Sequence, residues 1–163
     1  DCSIGGSRTL CVEAELPASV ADVWVLWSES GQLATWMAPV AAVDLRPGGM
    51  MEASYDPNGR IGDAGNILNR VVAVTPMQSL TIQVERAPPG FRHPDEVREL
   101  LTQIELQPMS AGVTRVRVSM SGYREGAAFE ELRAFFARGN AWTLQKLHER
   151  VVNGPVNWAE QRQ

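Results

Sequence analysis

Histidine and cysteine are scarce in this chain, with two of each in 163 residues. His93 sits in a proline-bordered loop pattern and His148 in a helical one, so the clustered ligands that a metal needs are missing. Lys and Arg nowhere gather, and the formal net charge is -4 with a pI near 5.2. The electrostatic footprint of a nucleic-acid binder is therefore lacking. No apolar run approaches the roughly 20 residues that a membrane-crossing helix requires. There is no GxSxG elbow, Walker loop or dinucleotide GxGxxG, and Gly48-Gly49 reads as a turn and not a phosphate cradle. No catalytic residues, metal or cofactor are expected on these grounds, and whether the chain is an enzyme stays open. Repeats, low-complexity tracts and linkers are also missing. At this length the chain reads as a single domain, 1–163, with tails at 1–7 and 155–163.

The two cysteines, Cys2 and Cys11, lie close together, and three readings are open. They pair in an exported protein, they are two separate thiols, or Cys2 carries a lipid. The sequence opens on Asp1, as expected of a processed mature form or a trimmed chain. Together these favour a periplasmic or secreted protein, or a cytoplasmic one if no signal peptide precedes Asp1.

What the chain does have is one long amphipathic stretch, Gly126 to Val152. Phe129, Leu132, Phe136, Asn140, Leu144, Leu147 and Val151 recur at spacings of three and four and form a core-facing stripe. Asn153, Gly154 and Pro155 supply its C-terminal stop. Gly139 and Asn140 interrupt the stripe at its middle, where a bend or a cavity is expected.

Upstream, Arg8 to Leu16 alternates as a strand with Leu10, Val12, Ala14 and Leu16 on its dry face. Ser19 and Asp22 resemble a capping box that opens a short helix bearing Val20, Val23, Trp24 and Trp27. Gln32 to Met37 suggests a second, stopped by Pro39. From Val40 the pattern is β for about eighty residues, broken by Gly- and Pro-rich turns, with a long loop from Glu85 to Val97. Strands of this kind have one dry face, and the terminal helix is the only large element able to cover it. The expected class is α+β, with a curved antiparallel sheet of about seven strands wrapped around that helix.

This order resembles the helix-grip fold of the START-like, SRPBCC superfamily. PASVADVWVLW at Pro17–Trp27, LATWMAP at Leu33–Pro39, VDLRPGG at Val43–Gly49 and the run Gly139–Leu147 look like landmarks of the branch named after activators of a heat-shock chaperone ATPase. That branch usually carries Trp directly after the helix glycine. Here the place is held by Asn140, and Trp142 follows two residues later. The resemblance implies a cavity between sheet and helix for a small, largely apolar ligand. The walls expected for it are Trp27, Trp36, Met51, Tyr55, Phe91, Met120, Phe136 and Asn140, with Phe91 and His93 at the entrance. Non-catalytic binding or carriage is the leading expectation. A cyclase- or isomerase-type enzyme using the same cavity, and a chaperone-interacting protein, are the alternatives. Among the carboxylates, Asp44, Glu52 and Asp56 read as wet surface or, facing inward beside Arg70, as an acid or base. The oligomeric state has no signature in the sequence.

Overall fold

Alternation in β1 (Thr9–Leu16) puts its small and aliphatic side chains on one face and its glutamates on the other. The strand pairs antiparallel with β7 (Val113–Ser121) along its full length, from Thr9 opposite Ser121 to Leu16 opposite Thr114. On the wet face this register sets Glu13 against Arg117 and Glu15 against Arg115, each pair joined by an ion pair of 3.0–3.1 Å. The computed structural model, which describes Cys2 and residues 8–159, also joins Cys2 to Cys11 in a disulfide, with Cα atoms 4.9 Å apart. Cys11 lies on the glutamate side of β1, yet this bridge leaves it only 6% exposed.

Between these strands the chain forms a meander of β2 (Val40–Val43), β3 (Met50–Ser54), β4 (Ile67–Thr75), β5 (Ser79–Arg86) and β6 (Leu101–Ser110). The sheet order is β1-β7-β6-β5-β4-β3-β2, all neighbours antiparallel. The turn after β2 explains its own sequence. Gly48 adopts φ +86°, and a Cβ on Gly49 would fall on the Asp44 carbonyl oxygen, so both positions exclude a side chain. Gly48 donates to Val71 O and Gly49 accepts from Val71 N, both at 2.8 Å, which ties the turn to β4.

Helix α1 (Val20–Ser28) starts as its residues require, with the Ser19 hydroxyl accepting from Asp22 N at 3.2 Å. Helix α2 spans Ser30–Leu33, earlier than the expected Gln32–Met37. Beyond Leu33 the backbone continues as turns to Met37, and Thr35 uses its hydroxyl on the Gln32 carbonyl, a side-chain bond that competes with regular helix. Leu33 and Trp36 point inward all the same, both fully buried. Helix α3 (Ala127–Asn153) closes with Gly154 at φ +85°, whose N–H reaches Arg150 O. After it, Val156 N and Trp158 Nε1 donate to Thr35 O and Ala34 O, so residues 155–159 remain on the body of the molecule, while the rest of the expected C-terminal tail lies outside the described residues.

Helix α3 supplies the wall that the dry side of the sheet lacks, but its stripe is not uniformly packed. Phe129 and Leu132 join Leu10, Val97, Leu100, Met120 and Tyr123 in one buried cluster. Leu144 and Leu147 join a second with Leu16, Trp24, Trp27, Leu33 and Trp36. Between them lie Gly139 and Asn140, the positions where the sequence places no large apolar side chain. A Cβ added to Gly139 would meet nothing within 4 Å.

Candidate functional site

A cavity of about 320 Å³ occupies the region between these clusters. Phe136, Asn140 and Thr143, on successive turns of α3, form one wall. The facing wall comes from inward positions of the sheet: Ile67 and Asn69 of β4, Ile82 and Val84 of β5, Thr102 and Ile104 of β6, Val118 and Met120 of β7. Trp27 of α1, Tyr55 after β3 and Phe91 of the β5–β6 loop add aromatic rings to the lining, which also includes Met37 and Phe135. Six of the eight residues expected from the sequence, Trp27, Tyr55, Phe91, Met120, Phe136 and Asn140, therefore share one cavity.

Trp36 and Met51 lie elsewhere. Trp36 is fully buried beneath the cavity, its ring edge-to-face on Trp27 at 4.9 Å and its N–H donating to Leu26 O at 2.7 Å. Met51 is 3% exposed in the same packed cluster as Val71 and Leu80. Both point inward, as their periodicity demands, Met51 into the packed cluster and Trp36 onto the floor of the hollow that holds Lys146.

Polar groups on the cavity wall are few. Asn140 Nδ2 donates to Met120 Sδ at 3.2 Å, a weak acceptor that also receives the Tyr123 hydroxyl at 3.7 Å. Thr143 is turned back on its own helix, donating to Gly139 O at 2.9 Å. The buried Trp27 N–H has no hydrogen-bond partner among the described residues. An unmet buried donor of this kind costs about 1–3 kcal/mol.

Two outer hollows adjoin the cavity. One, of about 580 Å³, shares Phe91 and Phe135 with it and is rimmed by Arg92, His93, Glu131 and Arg138. Phe135 stacks edge-to-face on both Phe91 and Phe136, at 5.6 and 5.0 Å, making an aromatic partition. Sequence periodicity passes over Phe135 because it falls off the α3 stripe. His93, read as a lone histidine, has a partner: its Nε2 lies 2.7 Å from Glu131 Oε2, with Arg92 at 3.2 Å from the same oxygen. The residues are thirty-eight positions apart, which is why sequence inspection leaves them unjoined. Hydrogen bonding to His93, and then the charges of Arg92 and His93, hold the Glu131 carboxyl below its ordinary range.

The second hollow, of about 510 Å³, shares Met37 and Tyr55 with the cavity and contains Trp142, Lys146 and Glu149. Lys146 Nζ donates to Met37 O at 3.0 Å and sits 3.9 Å from the Trp142 ring centre and 5.6 Å from that of Tyr55. Burial lowers its pKa to about 8.

The sheet carboxylates face outward. Asp44 pairs with Arg46 at 2.8 Å in the open, and Asp56 accepts from Asn58 N in a turn. Glu52 accepts from Gly62 N and Asn66 Nδ2, both at 2.6 Å. Arg70 is engaged with Gln83 and Glu85 on the outer face. Among the described residues, no group of three or more His, Cys, Asp or Glu is placed to hold a metal ion. No helix is long and apolar enough to cross a membrane.

A long helix gripped by a curved antiparallel sheet, with a cavity between them, is the helix-grip architecture. Residues 17–151 match the family model described as activator of Hsp90 ATPase homolog 1-like protein, and the chain belongs to that family. No curated protein matches it. Among solved structures it resembles the Aha1 dimer of Colwellia psychrerythraea, with TM-score 0.69, 14% identity, and coverage of 90% of this chain and 97% of that one. It also resembles protein NE0264 of Nitrosomonas europaea, with TM-score 0.66, 26% identity, and coverage of 90% and 95%. A third likeness is to PFC0360w, an HSP90 activator of Plasmodium falciparum, with TM-score 0.60, 16% identity, and coverage of 91% and 98%.

Proposed function

We propose that this protein binds or carries a small, largely apolar molecule in the cavity between sheet and α3, without transforming it. The observation that carries this reading is the composition of the wall. It has aromatic, aliphatic and amide or hydroxyl side chains, and among the described residues no Asp, Glu, His, Lys or Arg lines it. Such a surface can desolvate an apolar body but offers no acid–base pair suited to neutral pH. The cavity's size favours an occupant at or below the small end of drug-like ligands, whose sites run about 300–1,000 Å³. The binding residues are Trp27, Tyr55, Phe91, Met120, Phe136 and Asn140. The Cys2–Cys11 disulfide supports an oxidising compartment, periplasmic or extracellular.

Native mass spectrometry of protein taken from its own host tests the reading. A retained low-mass compound is expected, and Asn140→Trp, which refills the gap with an indole, should lower its occupancy at least tenfold by removing the space. Equal occupancy in that variant would overturn the cavity assignment. Family membership favours a second reading, contact with a chaperone as named for the Plasmodium relative. Saturable binding to a chaperone ATPase, unaffected by Asn140→Trp, would support it instead.

A further inference from the structure

Lys146 stands in the hollow that shares Met37 and Tyr55 with the cavity, and its surroundings leave its charge poorly compensated. It lies one turn beyond Thr143 on α3, so its stem rises from the same face as the cavity wall. Met37 and Tyr55 line both the cavity and the hollow that contains the ammonium, so the two spaces meet at these side chains. The ammonium has one backbone carbonyl and two aromatic faces as partners. No carboxylate of a described residue comes within 4.0 Å of it. The ionisable groups that share its hollow are Tyr55, from the segment after β3, and Glu149, one turn along α3 and exposed.

Resting on the cavity reading, we infer that the ligand is an amphiphile whose apolar body fills the cavity and whose anionic head, most simply a carboxylate, is held by Lys146 against Trp142 and Tyr55. A helix rises 1.5 Å per residue, so Phe136 to Lys146 measures about 15 Å. A medium-length chain spans that distance. The head would supply the counter-charge that the protein withholds, and a charge-assisted hydrogen bond is among the stronger polar contacts available. The lowered pKa of about 8 gives the same result by linkage. An anion stabilises the protonated amine, so binding raises that pKa and draws in a proton near pH 8, and affinity falls as pH rises through this region.

Lauric acid and lauryl alcohol share a chain and differ in head charge, so calorimetric titration with both separates the two claims. Wild-type protein should bind laurate more tightly, with proton uptake visible as a dependence of the heat on buffer at about pH 8, and lose about tenfold in laurate affinity between about pH 7 and about pH 9.5. Lys146→Met should weaken laurate about tenfold and leave the alcohol unchanged, which also reports that the variant folds. Lys146→Arg should restore laurate binding at all these pH values. If acid and alcohol bind alike, without pH dependence and without response to Lys146→Met, the anchor is overturned while the cavity stands. If neither binds wild-type protein, the cavity reading falls and this inference falls with it.

Discussion

Trp27 and Trp36 touch edge to face in one packed cluster, yet only Trp27 also lines the cavity. Trp36 is fully buried and its N–H meets the Leu26 carbonyl, so both its surface and its polar atom are accounted for within the chain. Trp27 is nearly as buried, but it lines the cavity and its N–H meets nothing among the described residues. The surface and the polar atom of Trp36 are thus both satisfied by its own chain. Trp27 instead borders space, and its unmet N–H is a cost that no side chain among the described residues offsets. The difference originates on α3, where Leu144 and Leu147 pack the cluster while Gly139 and Asn140 leave the cavity open.

The largest expected effect is on the filled side. Trp36→Phe keeps an aromatic ring but deletes the N–H and leaves the buried Leu26 carbonyl unpaired. Together with the lost volume this should cost about 2–4 kcal/mol in urea unfolding. Trp27→Phe makes the same chemical change on the open side and breaks no internal hydrogen bond. It should cost less than about 1.5 kcal/mol, the cost of volume in a site that already borders a cavity. Equal losses at the two positions would erase the distinction between the two tryptophans.

How far the sequence foretells this arrangement depends on which physical signal each part rests on. The strand faces, the Ser19 cap and the stripe of α3 depend on local periodicity and hydrogen-bonding chemistry, and they form where the pattern puts them. Placing Trp36 and Met51 needed more than periodicity, because an inward direction does not distinguish a filled layer from a hollow one. The decisive quantity is what stands opposite, and for Met51 that is Val71 and Leu80, brought near by strand pairing. Phe135 and the His93–Glu131 pair were illegible for a related reason. Phe135 is off the stripe yet meets Phe91 from a loop, and His93, with its backbone in the left-handed region at φ 62°, meets Glu131 of α3 from the same loop.

The smallest effect concerns the rim, which extends the contrast from buried to exposed polar groups. The segment around Trp36 is held by apolar contact and by hydrogen bonds from Trp36, Lys146 and Arg150, none of which titrates in the acid range. The β5–β6 loop is tied to α3 by Glu131 through His93 and Arg92. Because Glu131 is held below its ordinary value of 4.5, its contribution is present above that value and disappears as pH falls through the lower folded one. Acidification should therefore loosen the loop before the core. Hydrogen exchange corrected for intrinsic rates checks this: protection of the Phe91 and Val97 amides, which donate to Pro88 O and His93 O, should fall across that window while the Trp36 amide is unchanged. Glu131→Gln should abolish the pH dependence in the loop, and added salt should weaken the tie in wild type because these charges are exposed. A loop profile identical in wild type and Glu131→Gln would mean that its backbone bonds and prolines, rather than the ion cluster, hold it against α3.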